Sequence, residues 1–129
     1  MTRNILSILM SASVIITAQC LPTITHATSA SSKPPKLEYM DYSSARKIIL
    51  SYGWSPMPGP CKQVSNTTCS RFPEIESCSG VGLGYCGMLF VKQNRCLYLL
   101  TTGGPPESDT EDYAQVEQVT FRHGPCSKS

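Results

Sequence analysis

The sequence predicts a small α+β domain: one N-terminal helix packed on a three- to four-stranded antiparallel sheet, stapled by about three disulfides. Three observations predict it. A single apolar stripe of helical period runs from Tyr42 to Tyr52 and stops at Gly53. Short apolar runs of strand length follow at 87–92, 96–102 and 115–122. Six of the seven cysteines (Cys61, Cys69, Cys78, Cys86, Cys96 and Cys126) lie beyond an apolar leader that carries Cys20.

Residues 1–27 read as a secretory signal peptide. Arg3 precedes the apolar run Ile5 to Ala18, and Thr25-His26-Ala27 puts small residues where a signal peptidase reads. Thr28-Ser29-Ala30 is a second such triplet. The apolar run is shorter than the ~20 residues a membrane span needs. Gln19 is bulky where a lipoprotein signal needs a small residue before Cys20. Cleavage after Ala27 leaves 102 residues, one domain's length, and lowers the formal net charge from +2 to +1. With no basic run, that balance predicts neither a nucleic-acid partner nor a membrane surface after cleavage.

An even set of cysteines in a small exported chain reads as a disulfide framework, because a core of this size leaves little stability margin. Among the many pairings possible, the reading taken is Cys61–Cys69, Cys78–Cys86 and Cys96–Cys126: two short loops and one long staple. No C-x-x-C occurs and His123 is the one histidine beyond the leader, so neither a metal centre nor a cofactor is expected.

Residues 28–36 read as a disordered leader into a single domain spanning 37–129. Leu37 to Met40 forms an extended entry. Asp41 caps the helix, whose stripe is Tyr42, Ala45, Ile49 and Tyr52. Gly53 suits the left-handed position after the helix, and Pro56 forbids continuation. Trp54 is expected to fold back into the core. Prolines 56, 58 and 60 keep the chain extended to Cys61, and 62–72 reads as a polar, disulfide-held loop. Within it Asn66-Thr67-Thr68 matches an N-glycosylation pattern.

The runs 87–92 and 96–102 form a hairpin across Gln93-Asn94-Arg95, with Asn94 suited to the left-handed residue. A loop with Pro105-Pro106 and the acids Glu107, Asp109, Glu111 and Asp112 leads to the last strand, 115–122, which Cys126 pins down. The expected core comprises Ala45, Ile49, Tyr52, Trp54, Leu89, Val91, Leu97, Leu99, Val119 and Phe121. Val81 and Leu83 extend that layer or begin a further strand. Which alternate set of each strand faces the helix is open at this point.

Gly80-x-Gly82-x-Gly84 has no helix start after it, as a phosphate loop requires, so it reads as a tight turn closed by Cys78 and Cys86. Glu74 and Glu76, two apart on an extended segment, are expected to point the same way into solvent. Together with His123 and Arg71, Arg95 or Arg122 they make the set a small secreted ribonuclease-like hydrolase would need. No motif fixes these groups relative to one another, and Ser79 lies outside a nucleophile-elbow context, so no catalytic residue is assigned. The candidate binding surface is Glu74, Glu76, Tyr85, Tyr113 and His123, beside the acidic loop and the tyrosines Tyr39, Tyr42 and Tyr98.

Two patterns occur together. Tyr42-x-x-Ala45-Arg46-x-x-Ile49 followed by Gly53-Trp54-x-Pro56 resembles the helix opening of small exported bacterial proteins of unknown function. Pro73-Glu74-x-x-x-Cys78-Ser79-Gly80-x-Gly82-x-x-x-Cys86 resembles their middle. The resemblance implies an exported helix-on-sheet domain and carries over no catalytic residue. Cys61 and Cys126 lie outside both blocks. The function expected is non-enzymatic and protein-binding, inhibitor-like in its most specific form, in the periplasm or outside the cell. The partner expected is another envelope or secreted protein. A secreted hydrolase using Glu74, Glu76 and His123, and a structural envelope component, are the alternatives. Oligomeric state is not written in the sequence.

Overall fold

The computed structural model describes residues 33–107 and 113–126. The expected signal peptide, residues 28–32 of the leader, the acids Asp109, Glu111 and Asp112, and 127–129 lie outside the described residues.

Helix α1 spans Tyr42–Ser51. Its N-cap is Asp41, whose carboxylate accepts from the Ser44 amide at 2.8 Å and the Ser43 hydroxyl at 2.7 Å. Those two bonds hold the Asp41 carboxyl below its usual range, the Ser43 hydroxyl most of all. At the other end Gly53 turns left-handed, and Lys92 donates to the Tyr52 carbonyl at 2.6 Å, a cation where the helix dipole is negative. Tyr42, Ala45 and Ile49 are buried as the stripe requires, while Tyr52 is only half-buried.

A five-stranded antiparallel sheet lies beneath the helix, larger by short segments than the sequence alone suggests. Its strands are β1 Ser55–Pro56, β2 Ile75–Cys78, β3 Cys86–Val91, β4 Arg95–Thr102 and β5 Gln115–His123. The order is β1-β3-β4-β5, with β2 also pairing β3. Thus β1 takes the Phe90–Val91 end of that edge, and β2 takes the Cys86–Met88 end. The β3–β4 hairpin forms as expected, although Gln93 rather than Asn94 is the left-handed residue.

The register decides which alternate set faces inward. Cys86, Met88 and Phe90 of β3 lie opposite Thr101, Leu99 and Leu97 of β4 and pack under the helix with Trp54, Phe72 and Ile75. Leu89 and Val91, expected in that core, instead lie on the other face with Cys96, Cys126, Met57 and Tyr98. Val119 and Phe121 face inward beside Leu99 and Leu97 but are half-buried, near the margin where β5 ends the sheet. Trp54 is in the core, with its ring 6.0 Å from that of Phe121.

All three disulfides join the expected pairs: Cys61–Cys69, Cys78–Cys86 and Cys96–Cys126. Two segments read as irregular are in fact organised. Residues 62–72 contain a short helix α2, Asn66–Arg71, capped by the Ser65 hydroxyl accepting from the Thr68 amide. Its polar residues gave no apolar period, so the local cap and the Cys61–Cys69 bridge set it. Within 33–36 of the expected leader, Pro34 is buried, and the Lys33 ammonium lies 5.1 Å from the Phe121 ring centre. The chain then runs beside β5, with Tyr39 donating to the Val116 carbonyl and Val116 donating to that of Met40.

Candidate functional site

Glu74 does not lie on the surface. It is fully buried, and its Oε1 accepts from the Tyr42 hydroxyl at 2.6 Å and from Arg46 Nε at 2.5 Å. Tyr42 and Arg46 stand four apart on α1 and so share one helix face. The Arg46 guanidinium also sits 5.5 Å from the Phe72 ring centre. Among the described residues, Glu74 Oε2 is the one buried side-chain oxygen or nitrogen without a hydrogen-bond partner. The geometry makes Glu74 a tie between α1 and the start of β2.

Glu76 takes the opposite side. Glu74 sits in the turn before β2, where the Ile75 amide donates to the Phe72 carbonyl, so strand alternation does not tie its direction to that of Glu76. Glu76 instead reaches the outer face of the sheet beside Gly87 and Tyr98. A Cβ at Gly87 would stand 2.9 Å from the Tyr98 hydroxyl and 3.3 Å from Glu76 Oε2. Gly87 therefore lets the phenol lie across β3 next to a carboxylate.

That setting shifts the Tyr98 phenol above the usual tyrosine range. Burial is the main cause, the Glu76 charge adds to it, and Arg122 opposes it. The phenol ionises to an anion, so the unfolded chain ionises first and stability falls as pH rises past the ordinary tyrosine pKa. Alkaline titration of wild type against Tyr98→Phe, followed by tyrosinate absorbance, is expected to show Tyr98 ionising late. Glu76→Gln should bring it earlier, and an unchanged curve would contradict the pairing.

The third feature is the loop between β2 and β3, closed at its base by Cys78–Cys86. Its tip carries Val81, 81% exposed, and Leu83, 65% exposed, correcting the expectation that they join a layer or strand. Gly82 and Gly84 have φ of +70° and +63°, so the backbone turns at both instead of running extended. The loop is cross-linked internally. Ser79 donates its amide to the Tyr85 carbonyl and its hydroxyl to the Val81 carbonyl, and accepts from the Tyr85 amide. Gly103 and Gly104 then donate to the Leu83 and Gly84 carbonyls, at 2.8 and 2.9 Å.

Of the five large apolar or aromatic side chains exposed among the described residues, three (Val81, Leu83 and Tyr85) belong to this loop. A fourth, Tyr113, is 88% exposed, and its backbone meets Gly103, which braces the loop. Tyr113 thus joins the chain beside the loop's brace, while Tyr85 ends the loop itself.

His123 is exposed at the far end of β5, paired in register with Arg95. Glu74 inside, Glu76 on the outer face and His123 at the hairpin end are therefore not brought to one cleft. Among the described residues no group of His, Cys, Asp and Glu is arranged to hold a metal ion. Sequence reasoning missed the roles of Arg46 and Gly87 and the exposure of Val81 and Leu83. The signal that was available for the last two was their setting, glycines on both sides inside a short cysteine-closed ring. Comparison with protein-family models, with curated proteins and with solved structures gives no match, so what the chain can do is read from its own side chains.

Proposed function

We propose that this chain is an exported, non-enzymatic binding module that docks another envelope or secreted protein through the disulfide-closed loop 79–85. The observation that carries this reading is the exposure of Val81 and Leu83 on a backbone that is already rigid. Aliphatic side chains held out into water by a bridged and hydrogen-bonded loop are an unfavourable surface unless something covers them. A loop ordered before binding also loses little conformational entropy when it binds, so more of the contact energy appears as affinity. Tyr85 and Tyr113 beside the tip supply the amphipathic rim common at such interfaces.

The partner's complementary feature is a concave apolar socket. Left-handed Gly82 and Gly84 do not present the extended backbone a protease cleft binds. If the target is a hydrolase, inhibition would come from plugging or covering, not from mimicking a substrate strand. Export is supported by the three disulfides, which fit an oxidising compartment. Among the described residues no helix is long and apolar enough to cross a membrane.

The test is a photo-crosslinker placed at Leu83 of the oxidised protein and exposed to the host's envelope fraction, with Ser70 as the control position. A discrete protein adduct is expected from Leu83 alone. The double variant Val81→Ser/Leu83→Ser should weaken capture at least about tenfold, as loss of central apolar anchors does, without changing Tm. Equal capture by wild type and double variant overturns the reading. Binding to phosphatidylcholine–phosphatidylglycerol vesicles that the same variant abolishes would replace the protein partner with a lipid surface.

A further inference from the structure

The structure assigns a second recognition site to the outer face of the sheet: a groove between the Lys62–Gln63 turn and strands β3 and β4, which we infer takes an uncharged pyranose ring. The groove has a volume of about 410 Å³, and the residues that matter in its lining are Lys62, Gln63, Ser77, Tyr85, Gly87 and Tyr98. That volume is at the low end for ligand sites and leaves room for one or two sugar rings.

Its walls differ in chemistry. The Tyr98 ring, the bare Gly87 backbone and Leu100 make one side apolar, while Ser77, Ser79, Gln63 and Lys62 make the other polar. A pyranose has the same division, with C–H faces above and below and hydroxyls around the edge. Its C–H groups suit the negative face of an aromatic ring. Its hydroxyls both donate and accept, as do the serine hydroxyls, the Gln63 amide and the Tyr98 phenol. Among the described residues the Ser77, Gln63 and Tyr98 side chains make no hydrogen bond to protein, which leaves them open to a ligand.

The floor exists because residue 87 is glycine. A Cβ there would come within 2.9 Å of the Tyr98 hydroxyl and 3.1 Å of its ring. The rim is held rather than loose. Cys61 and Gln63 both adopt left-handed conformations, with φ of +50° and +63°. Between them Lys62 donates to the Glu76 carbonyl and accepts from the Cys78 amide, each at 3.1 Å. Such strained residues persist only where surrounding structure enforces them. Lys62 at the rim and Glu76 beside the floor offset each other's charge, so the site favours a neutral ligand. Ser79 and Tyr85 belong to both surfaces, but Val81 and Leu83 do not line the groove, so the Val81→Ser/Leu83→Ser variant tells the two sites apart.

The experiment is a heteronuclear NMR titration of the oxidised, isotope-labelled protein with cellobiose, maltose and chitobiose in turn. Sorbitol serves as an open-chain polyol control and acetate as an anion control. At least one disaccharide is expected to shift the Gly87, Ser77 and Gln63 amides along a saturating curve. Tyr98→Phe and Gln63→Ala should each weaken it about fivefold, the effect of one lost hydrogen bond. Val81→Ser/Leu83→Ser should leave it unchanged. Sedimentation with insoluble cellulose or chitin then separates a polymer-bound source from a free sugar. No saturating shift up to about 50 mM, where a millimolar site fills, overturns the inference. So do equal shifts by sorbitol or acetate, or shifts confined to loop 79–85.

Discussion

Arg46→Ala lowers the unfolding free energy by about 3 kcal/mol, because it leaves the Glu74 carboxylate buried without its cation. The figure is at the low end for breaking a buried pair, since the Arg46 side chain keeps 19% of its surface in solvent while Glu74 keeps 0%. In a domain of this size that loss corresponds to a fall in Tm of about 15 °C or more. Tyr42→Phe removes the second bond to the same oxygen and should cost about 1.5 kcal/mol.

A double variant separates pairing from packing. Arg46→Leu/Glu74→Leu replaces both charges with apolar volume, and such exchanges are often neutral or stabilising. It is therefore expected to be more stable than Arg46→Ala, although the Tyr42 hydroxyl then lacks its acceptor. Chemical denaturation of the oxidised protein reads all these values. If Arg46→Ala unfolds within about 0.5 kcal/mol of wild type, the usual range for surface changes, the tie between α1 and β2 contributes nothing.

Removing the Cys96–Cys126 bridge by Cys96→Ala/Cys126→Ala is expected to cost about 3.5 kcal/mol on loop entropy alone, because it closes a separation of 30 residues. The other two bridges each close a separation of 8, and the same relation gives about 2.5 kcal/mol for each. Position adds to this order. Cys96 and Cys126 are buried with Leu89 and pin the chain end to the outer face of the sheet, so their loss also frees that face. Cys61–Cys69 is half-buried and holds α2, with Cys61 packed only against the margin of the main core. Thermal unfolding of the three double variants should rank Cys96–Cys126 as the largest loss. Full reduction should consume most or all of the 5–15 kcal/mol typical of a small domain. A cooperative, native-like Tm in the fully reduced protein would show that the core suffices alone.

Much of this architecture is legible in the sequence. The stripe Tyr42, Ala45 and Ile49, the cap at Asp41 and the stop at Gly53 are local signals, decided within a few residues of chain. The hairpin and last strand announced themselves by apolar runs of strand length. The even set of six cysteines announced a disulfide framework, and the pairing read from it, two short loops and one long staple, is the one the structure has.

The helix, the main strands and the α+β class were written in the residue pattern because their signals are local, and the even cysteine count marked a covalent framework whatever its pairing. Facing and partnership were decided by tertiary structure alone. A turn closed by Phe72 and Ile75 set Glu74 apart from the strand that carries Glu76, so one glutamate lies in the core against Arg46 and the other beside Tyr98. Register put Met88 and Phe90 rather than Leu89 and Val91 beneath the helix. Bonds from Gly103 and Gly104, about twenty residues away, braced the loop that exposes Val81 and Leu83. Side-chain direction in a sheet changes with every residue of register, and register is set by partners distant in sequence. Hence both candidate recognition surfaces appear only once the strands are paired.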